Sequence, residues 1–276
     1  MIKRILLFIV IILLCAFADS FFSDNKQVKT DFKIEQEPEK IESTLNSEKK
    51  PFNFLYPAST KNQIVNHIKY SFSYSENDEQ PEWVAYKLFP NSINDDVKRK
   101  DNFRNDLKVI TGSASIKDYK KSGYDRGHLA PAKTMSFSQE TMSESFYMSN
   151  MSPQNPSFNR GIWKKLEGKV RNWISISDSL YVVTGPVLKD SLGFIGGNRV
   201  TVPRAYYKSI IRFKNNEMFG IGFLLKNEKS SRDLKSFSVS IDSIEKITGL
   251  DFFENLTDAI QNKIEKNSNF AFFIHK

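Results

Sequence analysis

Between Asn159 and about Ser175, the residues Ile162, Trp163, Leu166, Val170, Trp173 and Ile174 return at three- and four-residue spacing. In a helix that spacing lines them along one stripe, while Lys164, Lys165 and Lys169 fall elsewhere on the wheel. A stripe carrying two tryptophans needs a broad apolar surface to lie on, and the neighbouring segments read as strands that provide one. Tyr70–Tyr74 alternates, Ser75–Pro81 is turn-like and Trp83–Leu88 returns, which predicts a hairpin. Leu180–Thr184 is a buried-strand run, and Tyr206–Phe213 pairs with Met218–Leu225 around Asn215-Asn216. Gly196-Gly197-Asn198 signals a further hairpin turn. Residues 95–108 read as charged loop, 142–148 as a segment with a strand leading to Asn150, and 238–266 as helical pieces. Strands mixed with helices, without regular βαβ alternation, predict an α+β domain.

The N-terminus is of another kind. Lys3 and Arg4 precede the apolar run Ile5–Leu14, and Ala16-Phe17-Ala18 fits a small-x-small cleavage pattern. Residues 1–18 therefore read as a signal peptide, and the protein as secreted or periplasmic. An uncleaved anchor extended by Phe21 and Phe22, or a lipidated Cys15, ranks below cleavage, because the run is short for a membrane span. Cys15 is the only cysteine, so the cleaved chain has no disulfide framework, no cysteine zinc site and no thiol nucleophile. Residues 19–60 are poor in apolar side chains and read as a polar tether that cannot offset its ordering entropy. The globular part is then 61–276. The net charge of +8 falls to +6 when Lys3 and Arg4 are removed, and a chain this basic attracts polyanions. No stable membrane insertion is expected after cleavage.

Three histidines are present, and only His128 has a motif around it, Ser122-Gly123-Tyr124-Asp125-Arg126-Gly127-His128-Leu129-Ala130-Pro131-Ala132. Histidine takes a proton near neutral pH, arginine offers a planar fork to phosphate oxygens, and Asp125 can orient a neighbour. Downstream, Ser149-Asn150-Met151-Ser152-Pro153-Gln154 leads to Asn159 at the start of the striped helix. Glu167 lies two turns further along, about 80° around the wheel. Each also has a plain structural reading: Asn159 as a helix N-cap, and Glu167 as the partner of Arg171 in a surface ion pair.

The Asp-Arg-Gly-His run, the Ser-Asn-x-x-Pro-Gln run and the Asn-x-x-x-Trp-x-x-Leu-Glu spacing together resemble the DNA/RNA non-specific endonucleases of the ββα-metal (His-Me finger) class. This is the family of bacterial sugar-non-specific nucleases and mitochondrial endonuclease G. Thr184-Gly185-Pro186-Val187 and Val202-Pro203 ahead of Tyr206-Tyr207-Lys208 are similar too, so the likeness runs from about residue 65 to 260. It implies a central, mostly antiparallel sheet flanked by helices, and a metal-dependent endonuclease that hydrolyses DNA and RNA without sequence specificity. It implies His128 as general base and Asn159 as the one side chain that binds the metal directly. It further implies Glu167 as the group orienting the surrounding waters, Arg126 at the phosphate and Asn150 shaping the site. An upstream arginine is also expected. Arg99 and Arg104 both fit, with Arg99 preferred. Products would carry 5′-phosphate and 3′-hydroxyl ends.

Residue chemistry agrees with this. A hard ion such as Mg²⁺ keeps most of its waters and needs few protein ligands, and Mn²⁺ or another divalent cation could replace it. DNA and RNA would be held through phosphates, which carry no sequence information, so binding should weaken as salt rises. Lys133, Arg160, Lys164, Lys165, Arg199 and Arg204 are the candidate contacts. The oligomeric state stays open. Two other readings compete: a catalytically inactive nucleic-acid-binding protein on the same scaffold, and a structural protein of the cell envelope.

Overall fold

The computed structural model describes residues 56–58 and 61–275. The signal-peptide assignment and nearly all of the tether lie outside the described residues. Tyr56 is already part of the fold: it is 7 % exposed, packs 5.0 Å from Trp83, and its hydroxyl donates to Asn66 and Ser71.

The strands, in chain order, are β1 (Gln63–Asn66), β2 (Ser71–Ser75), β3 (Gln80–Leu88), β4 (Asp125–His128), β5 (Met151–Gln154), β6 (Ser179–Val187), β7 (Phe194–Ile195), β8 (Val200–Thr201), β9 (Ala205–Lys214), β10 (Glu217–Lys226) and β11 (Ser238–Val239). Seven of them form one sheet in the order β1-β2-β3-β6-β9-β10-β11, antiparallel throughout. The predicted hairpins are there. Asn215 and Asn216 turn β9 into β10 with φ of 49° and 60°, left-handed values that asparagine tolerates better than most residues.

The apolar stripe finds its surface on this sheet. Helix Lys164–Trp173 and the turn before it bury Ile162, Trp163, Leu166, Val170 and Trp173 in one cluster with Tyr86, Val182, Tyr206, Ile210 and Phe223. Side chains alternate faces along a strand, so Phe223 and its i±2 neighbours meet this helix, while Gly220 and Gly222 face the opposite layer of C-terminal helices. That α+β arrangement, a central antiparallel sheet flanked by helices, is the one the pattern and the resemblance led us to expect.

Two local expectations fail. Residues 142–148 hold no strand. Gln139–Glu144 is a helix, started by the Ser138 hydroxyl accepting from the Thr141 N–H, and Met142 and Phe146 bury on its four-residue period. In the tail, Phe252 and Phe253 are buried in a non-helical stretch, and the second helix begins only at Asp258.

Candidate active site

Outside the main sheet, β4 and β5 pair as a separate antiparallel ribbon with His128 opposite Met151 and Asp125 opposite Gln154. Nothing in Asp-Arg-Gly-His favours a strand by itself. The partner strand imposes it, because β5 is fastened to the large sheet. Ser152 bonds Gln80 and Tyr206, and the Tyr206 hydroxyl also donates to the Pro153 carbonyl at 2.9 Å. Gly127 allows the pairing, since a Cβ there would collide with the fully buried Gln154 side chain. Asn150 closes the end of the ribbon. Its side chain is fully buried, accepts from the Ala130 N–H, and donates to the Ala130 and Ser145 carbonyls. Asn150 therefore holds the backbone beyond His128 in place and leaves no amide atom free for chemistry.

His128 is half-buried, and its Nε2 is shielded from solvent without a hydrogen-bond partner. The ring packs edge-on against Phe146 at 4.9 Å and tilted against Phe103 at 5.8 Å. Burial pushes its pKa down to about 3, the Arg99 and Arg126 charges push the same way, and Asp101 opposes them. Both guanidiniums lie on the same aromatic wall, Arg99 at 5.0 Å from the Phe146 ring and Arg126 at 4.1 Å from the Phe103 ring. Arg99 also acts on Glu167, so its charge is common to His128 and Glu167. Arg104 points elsewhere: it lies 3.9 Å over Tyr147 and donates to the Asn102 and Ser143 carbonyls.

Asn159 is not an N-cap. The helical turn Pro156–Phe158 precedes it and is capped by Asn155, whose side chain accepts from the Ser157 N–H. A wide turn then runs from Asn159 to Trp163, kinked at Gly161, before the regular helix begins. Such π-type bulges recur at functional sites because they re-aim a side chain. Here the Asn159 Nδ2 donates to Asp125 Oδ2 at 2.9 Å, which fixes the amide and leaves Oδ1 as its acceptor atom. Asp125 is gripped from the other side by Arg160, at 2.9 and 2.6 Å. Burial disfavours the Asp125 charge, but these hydrogen bonds outweigh it and hold its pKa below the usual carboxylate value.

Glu167 does not pair with Arg171, which turns to Thr134 at 3.5 Å. Burial raises the Glu167 pKa, opposed first by Lys208 and then by Arg171, Arg99 and Lys164. Lys208, seen in the sequence only as part of the Tyr206-Tyr207-Lys208 run and given no role there, belongs to the site. It is fully buried, sits 4.2 Å from the Trp163 ring and donates to Thr184 Oγ1 at 3.1 Å. Burial lowers its pKa while Glu167 holds it charged. The alternation of β9 would have placed Lys208 inward, and an inward lysine demands a partner. His67 was likewise passed over: its ring bonds Asp106 and Glu144, and Ser149, next to Asn150, donates to the same Asp106 oxygen.

Of the six candidate phosphate contacts, four are engaged: Lys133 with Asp95, Arg160 with Asp125, Arg199 over Phe194, and Arg204 with the Asp190 carbonyl. Lys164 and Lys165 are exposed beside the site and, among the described residues, form no ion pair.

The donor set tests the expected metal. The Asn159 Oδ1 and the Glu167 carboxylate are hard oxygen donors on the same helical run, and neither is taken up by another side chain through an ion pair among the described residues. Such donors fit a divalent cation that retains its waters. A ββ ribbon packed on a kinked helix, presenting these groups at its junction, defines a ββα-metal nuclease. The comparisons agree. Residues 48–259 match the DNA/RNA non-specific endonuclease family, and the chain belongs to that family. A nuclease of Nostoc sp. is 31% identical over 217 residues, covering 74% of this chain and 78% of its own length. A nuclease of Syncephalastrum racemosum is 36% identical over 217 residues, covering 70% of this chain and 68% of its own. Among solved structures, the crystal structure of the EndoG/EndoGI complex, described as showing the mechanism of EndoG inhibition, contains a chain with a TM-score of 0.70 at 31% identity, covering 74% of this chain and 90% of that one. The protein is thus a nucleic-acid hydrolase acting on DNA or RNA, in a divalent-metal-dependent family.

The expected secreted or periplasmic location does not stand. The relatives from Danio rerio, Mus musculus and Homo sapiens are EXOG nucleases named as mitochondrial, and that from Saccharomyces cerevisiae is a mitochondrial nuclease. The physical reason is that an N-terminal address is read by a receptor, so a basic-then-apolar run does not itself determine a compartment.

Proposed function

We propose that the protein is an endonuclease that hydrolyses phosphodiester bonds of both DNA and RNA without sequence specificity, with His128 as the general base. The observation that carries this reading is the half-buried His128 imidazole, kept neutral beside two arginines, on the ribbon whose other end orients Asn159. In this reading the His128 imidazole takes the proton of the attacking water. Arg126 and Arg99 bind the phosphate and spread the charge that grows on it. Asn159, oriented by Asp125, would hold the metal through its free amide oxygen, and Glu167, balanced by Lys208, would orient the surrounding waters. A divalent ion held there, Mg²⁺ in this proposal, would supply charge neutralisation at the phosphate and at the leaving 3′ oxygen, and the products would carry 5′-phosphate and 3′-hydroxyl ends. Lys164 and Lys165 extend the phosphate contacts, which explains why no base-reading element is needed.

Supercoiled plasmid and a structured RNA, each incubated with Mg²⁺ or with chelator over a salt series, test the proposal. Both should be cleaved with Mg²⁺ and spared with chelator, with KM rising as salt rises. The ends should be extendable by a polymerase without prior phosphatase treatment. Cleavage undiminished by chelator, or confined to one short sequence, would overturn it.

The depressed His128 pKa gives a separate expectation. The base form is present above a pKa of about 3 in the free protein, so the acid limb of kcat/KM should fall well below the usual histidine range. Removing a positive neighbour raises the histidine pKa, so Arg99→Gln should move that limb upward as well as lowering the plateau. A limb that stays in place, measured from about pH 2.5 to 8, would detach Arg99 from His128.

A further inference from the structure

We propose that Asp242, Glu245 and Glu265 form a second cation site, suited to calcium, in the C-terminal layer on the sheet face opposite the active-site helix. Asp242 and Glu245 lie three residues apart on helix Ile241–Thr248 and so share a face. Glu265 is the last residue of helix Asp258–Glu265. The two helices meet because β10 lets them settle deeply. A Cβ on Gly220 would collide with the Ile264 carbonyl, so the strand carries no side chain there and the helix end comes down beside its neighbour.

One oxygen from each of the three carboxylates lies within 4.8 Å of the others. Oxygens that share one hard cation stand no further apart than about twice a metal–oxygen distance of about 2.1–2.6 Å, so the three carboxylates can reach a single ion between the helices. Calcium accepts several carboxylate oxygens in flexible geometry, whereas magnesium prefers to keep its own waters.

The second observation is Glu265 itself. It is only 6 % exposed, and its Oε1 has no hydrogen-bond partner. A carboxylate is rarely buried without a counter-charge. Among the described residues, no lysine or arginine forms an ion pair with any of the three. The end of the helix makes matters worse, because the negative pole of the helix dipole lies there. Burial raises the Glu265 pKa to about 8, and Glu245, Asp242 and Asp251 all push the same way. Glu245 accepts a hydrogen bond from the Phe252 N–H in the loop that follows its helix. A hard dication relieves every one of these penalties together. Asp242 and Glu245 lie inside the family match, whereas Glu265 lies beyond residue 259, where it ends.

Calcium titration of the full chain carrying Asn159→Ala, so that the active site contributes no direct metal ligand, tests the proposal. One calcium per chain should bind, and the melting temperature should rise by roughly 5–10 °C at calcium about a hundredfold above Kd. Glu265→Gln, nearly the same shape, should melt at or above the parent in chelator and show no calcium response. Asp242→Asn should weaken binding at least tenfold. Magnesium at equal concentration should shift the melt far less. A calcium-dependent shift retained in Glu265→Gln, no shift in the parent, or an equal response to magnesium would overturn the assignment. These readouts do not use cleavage, so they stand or fall independently of the nuclease mechanism.

Discussion

His128→Ala should lower kcat on plasmid DNA by about 10²–10⁴-fold, the contribution typical of a positioned general base. KM should stay near its parental value, because the proton transfer belongs to the transition state and contributes little to substrate binding. The fold should survive. The Nε2 makes no hydrogen bond, so its removal orphans no partner, and what is lost is packing of the ring against Phe146 and Phe103. A large-to-small change of this kind lowers the melting temperature by a few degrees, which circular dichroism would register. The two arginines remain in the variant and should still hold phosphate, so salt-sensitive binding should persist. Parental cleavage by the variant would remove His128 from the mechanism.

That the site could be read from sequence at all rests on spacing. The stripe from Ile162 to Ile174 dictated where the helix lies, and the strands around Asn215-Asn216 followed from alternation and a turn that asparagine permits. The ribbon carrying Asp125–His128 was not legible as a strand, because its three polar residues and one glycine adopt that shape only through β5, and β5 depends on Ser152, Gln80 and Tyr206, far apart in the chain. The same holds for Lys208 and Glu167, which meet only when β9 is laid under the helix. Arg99 and Arg104 were nearly equivalent in sequence, five residues apart in one charged run, with Arg99 slightly preferred. Folding separates them: Arg99 lies against Phe146 beside His128, and Arg104 is spent on main-chain carbonyls. A helix was missed at 139–144 because a six-residue segment shows too few turns for its period to stand out from a strand's.

Asn159→Ala offers the sharpest separation of structure from chemistry. If Asn159 capped the helix, its removal would cost about 1 kcal/mol and loosen the first turn. The cap is Asn155, however, and the Asn159 backbone N–H bonds the Asn155 carbonyl at 2.9 Å whatever its side chain. Asp125 loses one donor but keeps both contacts from Arg160. The melting temperature in chelator should therefore change little. Activity should fall by about 10²–10³-fold, the loss expected when a metal is no longer held against the phosphate, and the Mg²⁺ concentration for half-maximal rate should rise at least about tenfold. Asn159→Asp sharpens the point. It replaces the Nδ2 donor with a second carboxylate oxygen where Asp125 Oδ2 lies 2.9 Å away, so the two acids repel and the oriented amide is lost even though a good metal ligand is gained. If orientation by Asp125 matters, the aspartate variant should stay well below the parent at saturating Mg²⁺. Full recovery there would mean that any oxygen at this position suffices, and that Asp125 serves only to hold Arg160.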